Sequence, residues 1–153
     1  MSDELKRISL FGNKRTVESY NKINMIPIPI LGSVAAGDPI ERIENIEGYQ
    51  PTDASKIPGG EQNSAFWLRV KGDSMIDDGI NDGDLVLIHK ISEVHSHEIA
   101  CVAVNDYEAT IKRVNCENNT CVLRPSNKEH DVQIHPAEKI HIIGKVIGLQ
   151  KFF

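Results

Sequence analysis

Ser74 and Lys112 are the two side chains whose chemistry could make this chain a catalyst. Ser74 lies in "KGDSMID", residues 71–77, between a Gly-Asp turn and an apolar segment. A serine becomes a nucleophile when a base takes its proton, and a lysine can be that base if burial disfavours its charged form. A serine activated by a neutral lysine is therefore one interpretation of this pair.

Ser74 also has a structural interpretation. The Ser-x-x-Asp spacing from Ser74 to Asp77, followed by Ile80, is typical of an N-terminal helix cap. A Ser-His-Asp triad is a second catalytic possibility, but the sequence has no Gly-x-Ser-x-Gly elbow and does not indicate which histidine would reach Ser74. Capping and catalysis are compatible, because a serine at a helix start lies beside free amides that can stabilise an oxyanion.

Lys112 lies in "EATIKRV", residues 108–114, which has the alternation of a strand. Period-two alternation puts Thr110 and Lys112 on one face and Arg113 on the other, so one cation is buried whichever face contacts a core. If the segment is an edge strand, both cations can instead extend to solvent. The alternation alone leaves both arrangements open.

The histidines and cysteines do not form a metal-binding pattern. His95 and His97 are two residues apart and the other histidines are scattered, while Cys116 and Cys121 have no second pair at zinc-site spacing. We expect these two cysteines and Cys101 to be reduced and structural. The sequence therefore predicts neither a metal nor a cofactor.

The elements that must position these residues are short strands. From Phe66 onward, β-branched runs of strand length alternate with turn residues, which is typical of an all-β barrel or sandwich. The one helix candidate is the short "SMIDDGI". We therefore predict a mostly β fold with six strands in the runs "FWLRV", "DLVLIHK", "EIACVAV", "EATIKRV", "TCVLRP" and "KIHIIGKVIGL".

The chain before Phe66 is predicted to be less regular. Residues 1–26 mix charges with isolated apolar positions and are interpreted as a flexible N-terminal arm, followed by one domain over 27–153. Prolines 27, 29 and 39 exclude helix and favour an extended edge or loop segment. Residues 41–65 contain Gly and Pro throughout and are predicted to form a long surface loop.

Composition limits the function classes. The 153 residues, 40% hydrophobic and 25% charged, suffice for one core. A net charge of −5 argues against direct DNA binding, because phosphate contacts need a basic face. No stretch has the roughly 20 apolar residues of a membrane span, and the N-terminal residues are too polar for a signal peptide, so we expect a soluble cytoplasmic protein that does not contact membranes.

Three motifs, taken together, resemble the LexA/UmuD family of self-cleaving serine peptidases. They are "IPILGSVAAGDPI", "LRVKGDSMIDDGINDGDLVLIHK" and "EATIKRV", in this order and at these separations. The resemblance implies that Ser74 is the nucleophile, Lys112 the general base, and Ala36-Gly37, within a cleavage-site segment 31–40, the scissile bond. It also implies an oxyanion hole formed by the amides of Ser74 and Asp73.

The resemblance further implies a setting for this chemistry. Family members fold as a small, mostly β domain that forms a homodimer, and self-cleavage is stimulated by the RecA filament on single-stranded DNA in the SOS response. Repressors of the family carry a winged helix-turn-helix before the cleavage site, which 36 residues cannot hold. The chain is thus expected either to resemble UmuD, with a translesion polymerase as partner, or to be the C-terminal half of a repressor.

Two other function classes remain as alternatives. A non-catalytic dimerisation module of a transcriptional repressor would keep the fold without using Ser74 and Lys112. A signal-peptidase-like enzyme would use the same two residue types on other chains, although the sequence has no membrane anchor.

Overall fold

The computed structural model describes residues 23–35, 46–105 and 107–152, and these residues form mostly β structure, as predicted. Short 3-10 helices occur between strands, and these three ranges contain no α-helix. The strands are β1 (Met25–Leu31), β2 (Ile46–Asp53), β3 (Ala65–Arg69), β4 (Leu85–His89), β5 (Glu98–Val104), β6 (Thr110–Glu117), β7 (Thr120–Arg124), β8 (Gln133–Pro136) and β9 (Ile140–Gln150).

All nine strands belong to one sheet, in the order β2-β1-β3-β4-β9-β5-β6-β7-β8. Strands β1 and β3 pair in parallel, and the other neighbours are antiparallel. Ser74 lies in the connection between β3 and β4, and Lys112 lies on β6. Strand β9, the last along the chain, therefore joins the half of the sheet that leads into Ser74 to the half that carries Lys112.

Strand β9 bends as it passes between its two neighbours. Its register shifts between Ile142 and Gly144 against β5, and between Val146 and Gly148 against β4. A side chain at Gly144 would collide with the carbonyl of His89, so the close approach of β9 to β4 requires glycine there.

The six predicted strands are present as β3 to β7 and β9, but the prediction of a loop over 41–65 is wrong for residues 46–53. Strand β2 occupies 46–53 and pairs with β1 from Met25 opposite Asp53 to Leu31 opposite Ile46. Strand β1 is therefore not an edge, since β2 and β3 flank it. The β2 sequence "IEGYQPTD" has low strand propensity, so pairing with β1 decides its structure.

The buried side chains cluster on both sides of the sheet, and the largest cluster lies beside the candidate site. Met75 and Ile111, the chain neighbours of Ser74 and Lys112, both belong to it. Burial of these two neighbours anchors both candidate residues to one core. The other buried members are Leu31, Val34, Phe66, Leu68, Val70, Ile80, Val86, Ile88 and Cys101.

The prediction that all three cysteines are reduced is wrong for two of them. Cys116 and Cys121 face each other across the β6–β7 hairpin and form a disulfide. The hairpin turns at Asn118 and Asn119, which both have positive φ. A two-residue turn of this kind makes Cys116 and Cys121 direct cross-strand partners. Cys101 is free and buried, and burial raises the pKa of its thiol to about 12.

Candidate active site

Ser74 lies in an irregular turn rather than at a helix cap. The helix predicted over "SMIDDGI" is only a 3-10 turn, Ile76–Asp78, whose N-cap is Met75 and which has no side-chain cap. The capping interpretation of Ser74 is therefore wrong. The turn begins at Gly72, which has φ +85° and donates its amide to Asp82 Oδ1 at 2.7 Å. Glycine meets this left-handed requirement without strain.

Lys112 lies in the interior of the sheet and is buried. Strand β6 has β5 on one side and β7 on the other, so the edge-strand interpretation is wrong. Ala100 of β5 is opposite Lys112, and Lys112 is only 7% exposed. The other cation, Arg113, is half-buried and pairs with Asp78. Lys112 is thus the buried cation of this strand.

The Lys112 amine contacts two hydroxyl groups. Its Nζ lies 3.1 Å from Ser74 Oγ and 2.7 Å from Thr110 Oγ1. Among the described residues, no carboxylate forms an ion pair with Lys112. Desolvation by burial lowers the pKa of Lys112 below the ordinary lysine value. A neutral amine next to a serine hydroxyl is a possible general base.

A cavity of about 280 Å³ opens beside Ser74. Gly32 and Ser33, from the segment that follows β1, line it together with Ser74 and residues 108–111. Lys71 and Glu108 form an exposed ion pair of 3.3 Å and also line the cavity. The cavity thus lies between the nucleophile candidate and the chain that leads toward the predicted cleavage site.

The segment before the predicted scissile bond contacts residues 108 and 109, which immediately precede β6. The carbonyl of Val34 accepts the amide of Ala109 at 2.7 Å, and Ala35 forms an antiparallel bridge with Glu108. Val34 is buried in the largest core cluster. Ala36 and Gly37, with the rest of the second half of the predicted segment 31–40, lie outside the described residues.

A side-chain network that the sequence did not reveal holds the turn of Ser74. Arg113 donates to both carboxylate oxygens of Asp78, at 3.1 and 2.8 Å, and lowers the pKa of that carboxyl group. The Ser126 hydroxyl also donates to Asp78. Ser126 pairs its amide with the Ser74 carbonyl at 2.7 Å, and its carbonyl accepts the amide of Asp77 at 2.8 Å.

Thr110 is a further residue that sequence reasoning did not assign. It shares a strand face with Lys112, and that alternation was the signal that could have identified it as a partner of the amine. The residues of "PSNKEHD", by contrast, read only as a turn between strands, and nothing in their pattern connects them to Ser74.

The two predicted oxyanion donors have free amides within the described part of the chain. Neither Asp73 N–H nor Ser74 N–H has an acceptor there. The Asp73 side chain contacts His130, with 2.7 Å between Oδ1 and Nε2. No group of three or more His, Cys, Asp or Glu side chains in residues 23–35, 46–105 and 107–152 could hold a metal ion. In those ranges no helix is long and apolar enough to cross a membrane.

Comparison with known proteins gives one family profile and a set of repressors. The profile of the Peptidase S24-like family matches residues 29–147. The chain is similar to the LexA repressor of Bacillus mycoides (strain KBAB4), with 37% identity over 146 residues, 95% of this chain and 68% of that protein.

Two further LexA repressors are similar to this chain. That of Clostridium kluyveri (strain ATCC 8527) is 42% identical over 135 residues, 88% of this chain and 64% of the repressor. That of Oleidesulfovibrio alaskensis is 38% identical over 132 residues, 86% of this chain and 62% of the repressor. The chain thus spans about two thirds of the length of these relatives.

Proposed function

Because the chain belongs to the Peptidase S24-like family, we propose that it is a serine peptidase that cuts its own chain between Ala36 and Gly37. Ser74 is the nucleophile and Lys112 the general base in this proposal. The observation that carries it is the 3.1 Å contact between Ser74 Oγ and the Nζ of a buried lysine whose side-chain hydrogen bonds, within the described part of the chain, go to hydroxyl groups.

The reaction proceeds through an ester of Ser74. Neutral Lys112 takes the hydroxyl proton as Ser74 Oγ bonds to the carbonyl carbon of Ala36, and the amides of Ser74 and Asp73 stabilise the resulting oxyanion. The bond from Ala36 to Gly37 then breaks, and Lys112 returns its proton to the leaving nitrogen of Gly37. Water, deprotonated by the same amine, hydrolyses the ester and frees Ser74.

Docking of the preceding segment supports cleavage within the same chain. The bond between Val34 and Ala109 holds the chain alongside β6 just before Ala36. Ala36 is two residues after Val34, and two residues of extended chain span at most about 7 Å. A substrate attached in this way has a high effective concentration, which removes the need for affinity toward a second protein.

The direct test is incubation of the purified chain between pH 7 and 10. Intact-mass spectrometry should detect a fragment that begins at Gly37 together with its complement, and N-terminal sequencing should read "GDPIERI". The rate should rise with pH, because alkaline solution populates neutral Lys112. A chain that stays intact at pH 10 over prolonged incubation would favour the non-catalytic dimerisation module.

Matched variants assign the roles. Ser74→Ala and Lys112→Ala should abolish the cut while leaving circular dichroism unchanged. Ser96→Ala and Lys139→Ala, which remove the same groups at exposed positions, should cut at the wild-type rate. Cutting by either dyad variant would show that the assigned residues are wrong. Mixing Ser74→Ala with active protein tests whether one chain cuts another.

We further propose that this cleavage is a regulatory event of the SOS type, stimulated by the RecA filament on single-stranded DNA, in a protein that forms a homodimer. The similarity to LexA repressors supports this setting. A translesion polymerase as partner belongs to the UmuD-like form of the proposal, and repression of transcription to the LexA-like form. In both forms the cut falls between β1 and β2, so that β1 and the rest of the sheet belong to different fragments.

The regulatory proposal has its own measurement. Adding RecA, single-stranded DNA and a nucleoside triphosphate at neutral pH should accelerate the Ala36-Gly37 cut, and omission of the DNA should remove the acceleration. Light scattering should give the mass of two chains. Alkaline self-cleavage without any RecA response would leave the peptidase proposal standing and remove the SOS setting.

A further inference from the structure

Asn127, a buried asparagine, contacts the backbone at the peptide bond that leads into Ser74. It lies between β7 and β8 and is 8% exposed. Its Nδ2 donates to the carbonyl oxygen of Asp73 at 2.8 Å, and its Oδ1 accepts the amide of Glu129 at 2.9 Å. Because the oxygen faces a donor and the nitrogen faces an acceptor, the orientation of the side-chain amide is fixed.

Holding the Asp73 carbonyl also fixes the N–H of Ser74. The two groups belong to the same planar trans peptide, in which they point in opposite directions. The amide of Ile76 reaches the Asp73 carbonyl as well, but at 3.4 Å it is the longer and weaker of the two bonds. Asn127 therefore determines where the Ser74 amide points.

We propose that Asn127 is a positioning residue of the self-cleavage reaction, which aims the N–H of Ser74 at the oxyanion that forms on Ala36. This inference rests on the proposed function. A donor stabilises developing charge most when it is already oriented, because no reorganisation is then needed as the charge appears. The neighbouring Ser126 restrains the next peptide in the same way, through the carbonyl of Ser74.

The decisive variant is Asn127→Asp. Aspartate keeps the size of the side chain and the acceptor for Glu129, but it replaces the donor with an oxygen that faces the Asp73 carbonyl. We expect the first-order rate of self-cleavage to fall about 10- to 100-fold at fixed pH, somewhat less than the loss of an oxyanion donor itself. Asn115→Asp is the control, because Asn115 also forms a side-chain bond, 3.0 Å to Ser96, away from the turn; it should cut at the wild-type rate.

Two readouts separate aiming of the amide from general support of the turn. In Asn127→Leu, which adds no charge, the rate should fall equally at every pH, with an unchanged midpoint, because the contacts of Lys112 are intact. In a Ser74→Cys background, Asn127→Leu should leave alkylation of the new thiol by iodoacetamide unchanged. Alkylation needs an activated nucleophile but no oxyanion hole, and peptide mapping distinguishes this thiol from buried Cys101.

The results distinguish failure of the proposed function from failure of the role proposed for Asn127. If the wild-type chain does not cut itself, the proposed function fails. If it cuts, and the Asn127 variants cut as fast, only the role of Asn127 is overturned. A shifted midpoint, or alkylation that slows in step with cleavage, also overturns it, because Asn127 would then support the lysine or the whole turn. Slow cleavage with unchanged midpoint and alkylation is the expected outcome.

Discussion

The two residues of the candidate dyad are held in different ways. Lys112 is opposite Ala100 of β5, and β6 also pairs with β7 from Arg113 onward, so a regular ladder supports its backbone. Ser74 lies in an irregular turn that depends on a few bonds from Arg113, Ser126 and Asn127. A ladder distributes its support over many bonds, whereas the turn concentrates its support in a few side chains. We therefore expect substitutions around Ser74 to affect cleavage more than substitutions around the backbone of Lys112.

The largest effect on cleavage is expected from substitution of Lys112, the proposed base. Lys112→Met, which keeps the length of the side chain, should slow self-cleavage on the order of 10⁴-fold, as expected for loss of a residue that acts as one unit with the nucleophile. The same variant should raise the melting temperature at neutral pH, because it removes the cost of burying a charge. A lower melting temperature would mean that Lys112 contributes to stability through a partner that the geometry does not reveal.

The pH dependence of that stability gain has a defined sign. Burial lowers the pKa of Lys112, so the folded chain binds this proton less tightly than the unfolded chain. Wild-type stability therefore carries a penalty at neutral pH, which shrinks as the pH rises from the lowered pKa toward the ordinary lysine value. The difference in melting temperature between Lys112→Met and wild type should shrink over the same range, while the wild-type cleavage rate rises. Thermal melts of both proteins at a series of pH values measure the difference in melting temperature.

The next effect compares two ion pairs, one at the turn and one on the ladder. Asp78→Asn weakens the bidentate bond to Arg113 and should slow cleavage about 10-fold and lower the free energy of unfolding by about 1 kcal/mol. Glu98→Gln removes the same charge from a pair with Lys145 across β5 and β9. It should lower stability comparably without slowing cleavage. Equal effects of the two variants on cleavage would contradict the distinction between ladder and turn.

Acid should weaken the Asp78 pair in a predictable window. Arg113 lowers the pKa of Asp78 in the folded chain, so the pair stabilises the fold above the unfolded carboxyl pKa of about 3.9 and its contribution is lost as the pH falls through the lowered value. The stability difference between wild type and Asp78→Asn should thus be constant near neutral pH and vanish in acid. Denaturant titrations at pH 7 and below pH 3 would measure it.

The smallest effect on cleavage is expected at the Cys116–Cys121 disulfide. Closing so short a loop stabilises a fold by about 2 kcal/mol in the chain-entropy model. Reduction, or Cys116→Ser, should lower the unfolding free energy by that order while cleavage stays within about twofold, because the β6 ladder holds Lys112 without the hairpin tip. A large loss of cleavage on reduction would show that the tip supports the base.

The sequence predicted the parts of the molecule in which local pattern and tertiary environment agree. Alternation and β-branched runs identified β3 to β7 and β9, and the mostly β class was confirmed. In "EATIKRV" the alternation left open whether a cation would be buried, and the family resemblance pointed to Lys112. Strand β2 escaped prediction because its stability comes from pairing with β1 rather than from its own residues.

The support of Ser74 could not be predicted because it comes from distant segments. Asn127 lies more than fifty positions after Asp73, and its role depends on where the connection between β7 and β8 passes the turn. The cross-strand pairing of Cys116 with Cys121 likewise depends on the hairpin register, which the spacing of the cysteines alone did not specify. The roles of Ala36 and Gly37 remain predictions.

The central place of β9 in the sheet has a consequence for biosynthesis. A ribosome makes Ser74 first, then Lys112, and β9 last of the nine strands described. At about 5–20 residues per second, several seconds pass between the synthesis of Ser74 and the synthesis of β9. Until β9 is inserted, the sheet has no strand to join β4 to β5, and the two reactive side chains belong to separate pieces of nascent chain. We expect a growing polypeptide to be protected from cutting itself by the order in which its strands are made.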